Sequence, residues 1–357
     1  MQLDTLYVQN FRCIATGDIS LSPQVNCIVG DNASGKTTLL EAIYILGRGE
    51  SFRQSRLSKA IRQQADSFTL RTRLLGDHDS RHRIGAHVTR GSNRFKLDDQ
   101  TETRRFDLIS TLPLQHIDPN VHRLLEQGPK YRRHFLDWGV FHVEHAFFPA
   151  WRRYRRALKQ RNRALRAHQP KHQVIAWDAE LVQQGEIIDA CRRQYLEHIK
   201  RRLPESTRRL VGDDDLTFVY HPGWRGEQGF GHALANSLDQ DIRAGFTQHG
   251  PHRADMQVSV ASTQARDWVS RGQQKLLTAA LLLAQADILH AKRGIRPILL
   301  LDDMAAELGH TYRKALASEV IRVGAQSFLT FLNRESIPEL LAESRMFHVE
   351  QGCVTTP

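Results

Sequence analysis

The sequence predicts an α/β fold whose two halves lie far apart in the chain, with an antiparallel β subdomain and an inserted helical lobe. Three observations carry that prediction. The apolar segment "QVNCIVG" runs into a glycine-containing loop and then into "TLLEAIYILG", which has helical spacing, giving the order strand, loop, helix. A second apolar run, "PILLLDD", lies towards the other end of the chain and has the unbroken hydrophobicity of a strand buried on both faces. Between them, residues 145–177 contain no Asp or Glu and nine Lys or Arg, a change of character that marks a separate lobe.

Taken in order, "LDTLYVQNF", "GDISL" and "QVNCIVG" alternate apolar and polar residues and read as strands. The helix that begins at Thr38 is expected to stop at Gly47, a residue suited to a C-cap. Between 67 and 107, "SFTLRTRLL", "RHRIGAHVT" and "NRFKLDD" read as an antiparallel meander with charged outer faces. Leu181, Ile188, Cys191, Tyr195 and Ile199 recur with helical periodicity, so 125–210 is read as a basic helical lobe. "DDDLTFVY", "MQVSV", "PILLL" and "AQSFLTFL" return to strand patterns.

The 357 residues include 50 Lys and Arg against 39 Asp and Glu, a formal charge of +11, which favours a polyanionic partner. Cys13, Cys27, Cys191 and Cys353 have no framework spacing, as in a reduced compartment. No secretory signal and no apolar run long enough for a bilayer are visible. A soluble cytoplasmic protein without a membrane partner is therefore expected. His142 and His145 near Glu144 lack further ligands at a usable spacing and read as a packed or exposed pair.

The chemistry is concentrated in three places. Gly30-x4-Gly35-Lys36-Thr37 is the full phosphate-loop pattern between a strand and a helix. Its glycines let backbone N–H groups curl around the β-phosphate, Lys36 bridges β and γ oxygens, and Thr37 binds Mg²⁺ at a helix N-terminus. The ATP contacts expected are Gly30, Asn32, Ser34, Gly35, Lys36, Thr37 and Thr38. Asp302 and Asp303 end the apolar run, where adjacent acids are costly unless a cation or hydrogen bonds use them. Asp302 is assigned to Mg²⁺ and Asp303 to polarising the attacking water. Ser270, Gly272 and Gln273 precede a long apolar helix. That order, followed by a strand ending in acids, is the signature segment of an ABC-type P-loop ATPase head. In that architecture the signature is expected to serve as an anion site for the γ-phosphate held by a second copy, with ATP closing a two-fold homodimer.

With these motifs in place, the chain resembles the RecF family, the recombinational-repair branch of the SMC-like ABC ATPases. The resemblance covers nearly the whole length: "LYVQNFRCI", "GDNASGKTTLLEAIY", "GPKYRRHFLDWG", "GPHRADM", "VSRGQQKLL" and "LLLDDMAAEL". It implies an ATP-controlled dimer that binds single-stranded, gapped or junction DNA and helps RecO and RecR place RecA, supporting gap repair, fork recovery and the SOS response. It also implies that Gln115 senses the metal as a Q-loop glutamine, and that Arg12 stands beside the nucleotide. Two positions depart from the family pattern: Gly309 replaces a dimer-facing aspartate, and no switch histidine follows "SFLTFLN", leaving Thr330 or Asn333 in its place. A slow ATPase that times DNA binding is expected. His252 and Arg253 are family-typical; holding a turn and touching phosphate are equally open to them.

The resulting division is 1–124 for the N-terminal part of the ATPase head, 125–210 for the lobe and 211–357 for the C-terminal part. In "WRRYRRALKQRNRALR", Arg152, Arg156, Lys159, Arg163 and Arg166 share one helical face, with Trp151, Tyr154, Leu158 and Leu165 on the opposite stripe. A helix packed on one side and basic on the other suits sequence-neutral DNA backbone binding. Two other classes share some of these motifs. A transporter-type ATPase subunit would carry a short helical subdomain in place of a basic lobe. A DNA-binding scaffold with a vestigial ATP site would ignore Lys36→Met.

Overall fold

The computed structural model describes residues 2–76, 80–100, 103–212, 215–225, 228–260, 263–268, 271–303 and 308–356. Its strands in chain order are β1 (Gln2–Phe11), β2 (Ile14–Ser20), β3 (Val25–Val29), β4 (Ser67–Leu75), β5 (Arg81–Thr89), β6 (Asn93–Leu97) and β7 (Leu114–Ile117). They continue with β8 (Leu216–His221), β9 (Asp255–Val260), β10 (Thr263–Gln264), β11 (Ile298–Leu301), β12 (Ser327–Phe331), β13 (Arg345–Glu350) and β14 (Cys353–Thr355). The chain divides into two compact units, Met1–Val121 with Lys275–Pro357, and His122–Gln274.

In the first unit a six-stranded sheet has the order β14-β13-β3-β12-β11-β7. Strands β13, β3, β12, β11 and β7 run parallel to one another, and β14 pairs antiparallel with β13. Strands β3, β11 and β12 are buried at every residue, as strands covered on both faces must be. Sequence-distant halves thus interleave: β3 and β7 come from the N-terminal stretch and the other four from the C-terminal one. A five-stranded antiparallel sheet, β2-β1-β4-β5-β6, forms the subdomain. Val8, Leu70 and Ile84 from that sheet, Leu40, Ile43 and Leu46 from the helix Lys36–Arg48, and Leu300 and Phe328 from the parallel sheet share one core. The helix that follows the phosphate loop is therefore fixed between the two sheets.

That helix runs one residue beyond Gly47 and is capped by Gly49 in the left-handed region, φ 65°, whose N–H donates to the Ile45 carbonyl. Gly47 is a buried helical residue against which Leu112 packs, with a Cβ there meeting the leucine at 3.3 Å. Close approach, not termination, explains this glycine.

The second unit packs the helix Phe147–Arg166 along the helix Asp178–Val211, beside the three-stranded sheet β10-β9-β8. Leu181, Ile188, Tyr195 and Ile199 are all buried, as their spacing requires, and the long helix continues past Pro204. Two family-typical phrases meet in this unit. Arg132 makes a two-pronged pair with Asp255 at 2.7 and 3.0 Å, and Arg133 donates to the Ala254 carbonyl at 2.7 Å. Arg192 grips Asp137 at 2.8 and 3.0 Å and donates to the Pro251 carbonyl at 2.8 Å. His142 is buried beside Trp138, and His145 is exposed.

Candidate functional site

Parallel register brings three chain segments to one edge of the six-stranded sheet. Strand β12 lies between β3 and β11, with Thr330 opposite Ile28 and Leu329 opposite Leu301. The loop after β3 and the acids after β11 therefore emerge together at the carboxyl ends, where open α/β sheets bind ligands. Gly30 sits where backbone must pass closely: a Cβ there would lie 2.2 Å from the Val349 carbonyl oxygen and 2.7 Å from Ser34 Oγ. Gly35, at φ 123°, occupies a conformation that L-residues avoid, with Cys13 Sγ 2.9 Å from its would-be Cβ.

The helix Lys36–Arg48 has no side-chain cap and no acid in its first turn. Its first amides have no intrahelical partner, and its dipole end is positive. Ser34 Oγ is buried without a hydrogen-bond partner among the described residues. Both features fit a polyphosphate anion, which supplies acceptors to each. Lys36 Nζ donates to the carbonyls of Gly30 at 2.5 Å and Asp31 at 2.8 Å, folded back over its own loop. Burial lowers the Lys36 ammonium below its ordinary value, opposed by Asp303, Asp302 and Asp31.

Thr37 Oγ1 donates to Asp302 Oδ1 at 3.0 Å, joining the helix start to the strand tip. Thr330 Oγ1 donates to the same oxygen at 3.1 Å and accepts from the Asp303 backbone N–H at 2.7 Å. Burial raises the Asp302 carboxyl above its ordinary value; the Thr37 and Thr330 bonds oppose this, and Asp303 and Asp118 add to it. The buried Asp302 carboxylate, bonded to the Thr37 hydroxyl, fits a divalent cation, and Thr37 and Asp302 are the residues that could hold it. Asp303 follows directly, in a left-handed backbone conformation with φ 47°. Asn32 is exposed on the loop, and Thr38 is buried behind it.

Two expected members are engaged by other side chains. Gln115 lies opposite Leu299, three positions before Asp302, and is buried with 5% exposure. Its amide donates to Gln285 Oε1 at 2.8 Å, so strand register keeps it back from the carboxyl edge. Asp118, just past β7, is the acid that reaches the field of Asp302. Arg12, itself at φ 55°, grips both oxygens of the buried Glu41 at 3.0 and 2.7 Å. Glu41 lies one helical turn beyond Thr37, so Arg12 is anchored along the same helix. Gly272 and Gln273, which fall in the second unit, open the helix Arg271–Arg293, whose residues from Lys275 on belong to the first; Ser270 lies outside the described residues.

On the helix Phe147–Arg166, Arg152, Arg156, Lys159, Arg163 and Arg166 are all exposed. From first to last they span about 21 Å at 1.5 Å per residue. Tyr154 and Leu165 are buried, and Trp151 and Leu158 are half-buried. Arg161 belongs to the packed side: it is fully buried, bonded to Asp178, Asp241 and Thr247.

The family model for the RecF/RecN/SMC N-terminal domain matches residues 2–355. The DNA replication and repair protein RecF of Shigella dysenteriae serotype 1 is 38% identical over 357 residues, covering 99% of this chain and 100% of the relative. The same figures hold for RecF of Escherichia coli strain K12 / DH10B. The chain belongs to the RecF family. Its fold is that of solved RecF structures: the recombination mediator protein RecF-ATP in the RecFOR pathway matches with TM-score 0.88 and 24% identity, covering 100% of this chain and 97% of that one. The RecF-ATPrS structure matches with TM-score 0.87 and 24% identity over 99% and 97% of the two chains. An SMC head bound to the C-winged helix domain of ScpA matches with TM-score 0.61 and 16% identity over 100% and 98%.

Of the positions that depart from the RecF pattern, Gly309 is the N-cap of the helix His310–Val323 and supplies no side-chain cap. Met304–Glu307 lie outside the described residues. The strand β13 and the turn before β14 complete the phosphate loop: Val349 closes on Gly30, and the Gly352 N–H donates to the Ser34 carbonyl at 2.9 Å. Sequence reasoning missed both Asp118 and this hairpin. An acid just past "LQHI" was the signal for the first; the hairpin carries no motif. Among the described residues no helix is long and apolar enough to cross a membrane.

Proposed function

We propose that the chain is a cytoplasmic, ATP-dependent DNA-binding protein of recombinational repair. Two copies close around two ATP molecules and hold single-stranded, gapped or junction DNA, assisting RecO and RecR in placing RecA. Gap repair, fork recovery and SOS induction follow from that placement. One observation carries the reading: the 3.0 Å bond from Thr37 to Asp302, which assembles a phosphate loop and a strand-tip acid into one site.

In this reading the loop amides and Lys36 take the β- and γ-phosphates, and Lys36 leaves its own carbonyls to do so. Thr37 and Asp302 hold Mg²⁺, which neutralises charge on the phosphate oxygens when bound. Asp303 orients the attacking water, with Thr330 fixing both acids. Ser270, Gly272 and Gln273 serve the nucleotide of the other copy. Gly309 in place of the family's aspartate, and Thr330 or Asn333 in place of the switch histidine of many ABC ATPases, support slow hydrolysis used for timing. The exposed face from Arg152 to Arg166 contacts DNA backbone without reading bases.

The test is retention of gapped DNA with ATP, with ADP, and with Lys36→Met. Tight binding only for the parent with ATP is expected. Equal binding in all three conditions refutes ATP control.

A further inference from the structure

At the C-terminal end of the basic helix, the loop after Leu238–Ala244 holds one aromatic ring at the surface. Asn162 Oδ1 accepts from both the backbone N–H and the hydroxyl of Thr247, each at 2.8 Å. The Thr247 carbonyl lies 3.1 Å from His252 Nε2, and His252 Nδ1 lies 2.6 Å from the Tyr154 hydroxyl. Burial pushes the His252 imidazole down to about 4, so the ring is neutral. A carbonyl can only accept, so Nε2 carries the proton and Nδ1 accepts from Tyr154. On the other side, Gly245 lies against Arg166, whose Cγ would be 3.6 Å from a Cβ at that position.

Between these fixed points Phe246 is 41% exposed. The guanidinium of Arg253 lies 5.2 Å from its ring centroid, and Arg253 and Arg166 are both exposed. His252 thus holds the turn, and Arg253 is left at the surface against the aromatic ring. A protein interface core gathers several apolar residues around its anchors. Here a single ring stands beside the Arg253 guanidinium, one loop away from Arg166, whose Nε donates to the Asn162 carbonyl at 3.1 Å at the end of the cationic strip. Aromatic rings beside arginines are what proteins use to stack unpaired bases while holding the adjoining phosphates.

We infer that Phe246 is a stacking platform for an unpaired nucleobase, with Arg253 and Arg166 serving the phosphates on either side. This rests on the proposed role of the basic helix as a DNA backbone contact, and it gives the site a preference for strands with unstacked bases. Asn162, His252 and Tyr154 are positioning residues that fix the loop.

The test uses the full chain with ATP and Mg²⁺, and fluorescence anisotropy on an oligothymidylate and a blunt duplex of equal length. Phe246→Ala is expected to weaken single-strand binding by about 5- to 150-fold and to leave the duplex unchanged, with Phe246→Trp retaining both affinities. An oligonucleotide carrying 5-iododeoxyuridine is expected to crosslink at Phe246. Unchanged single-strand affinity in Phe246→Ala, equal weakening of both ligands, or a crosslink mapped elsewhere overturns the inference. So does lost self-association with intact DNA affinity, which assigns the ring to a protein contact. The variant Arg156→Glu/Lys159→Glu/Arg163→Glu separates the two ideas. If it weakens both ligands and Phe246→Ala weakens neither, only the stacking role falls; if it weakens neither, the helix reading falls and the inference with it.

Discussion

Replacing Arg161 by alanine should destabilise the helical unit strongly while leaving the exposed basic face untouched. Its side chain is 0% exposed and makes three bonds: to Asp178 Oδ1 at 2.7 Å, Asp241 Oδ2 at 2.6 Å and Thr247 Oγ1 at 2.9 Å. Asp241 is also 0% exposed, so Arg161→Ala strands a carboxylate away from water. Breaking a buried pair in this way costs about 3–5 kcal/mol. At about 2–4 °C per kcal/mol for a unit of this size, the midpoint falls by about 6–20 °C. Burial raises the Asp178 carboxyl despite Arg161, as expected where desolvation outweighs the pairing of a half-open acid. The charges should then be dispensable together: Arg161→Met with Asp241→Asn should recover most of the loss. Urea unfolding followed by circular dichroism, arranged as a double-mutant cycle, measures this. A parent-like Arg161→Ala, or a double variant as unstable as the sum of its singles, refutes the reasoning.

Other outcomes follow from the same geometry. Burial holds the Asp302 carboxyl above its ordinary value, so this group's share of stability is lost as pH rises through its folded-state value. Asp302→Asn should therefore raise the nucleotide-free melting temperature at neutral pH. ATP with Mg²⁺ at 100 times its dissociation constant adds about 2.7 kcal/mol to the parent, a rise of about 5–11 °C; scanning fluorimetry should find its Mg²⁺-dependent part missing in Asp302→Asn. His116 and His252 are both pushed down to about 4 by burial. Depressed histidines bind fewer protons folded than unfolded, so stability is present above pH ~6.5 and is lost as pH falls towards 4. His252→Gln should flatten that slope in a pH series of melting curves. Arg156→Glu/Lys159→Glu/Arg163→Glu should make the salt dependence of duplex binding shallower by about 3 in log–log slope, read from titrations at several salt concentrations, with an unchanged melting temperature.

Much of the fold was legible because its signals are local. The buried strands β3, β11 and β12 are written as unbroken apolar runs, and the meander as alternation. The phosphate loop needs particular residues at fixed spacing and the acids end an apolar run, so Thr37 and Asp302 could be singled out before the bond between them was seen. What stayed hidden depends on register and on distant partners. The place of Gln115 is set by its pairing opposite Leu299, and its partner Gln285 is 170 positions away. The contact of Gly352 with Ser34 joins the end of the chain to its beginning. Arg161 sits among exposed arginines of identical chemistry, and its partners Asp178, Asp241 and Thr247, all later in the sequence, single it out. Phe246 escaped notice because one phenylalanine in a polar loop carries no pattern of its own.

Nucleotide should close two copies of this chain on each other. The most direct measurement of this is molecular mass by light scattering, with Mg²⁺ and gapped DNA, in the presence and absence of ATP. A doubled protein mass with ATP, reverting to the single mass for Lys36→Met, is the predicted result. A parent protein that stays single under saturating ATP and DNA contradicts the account.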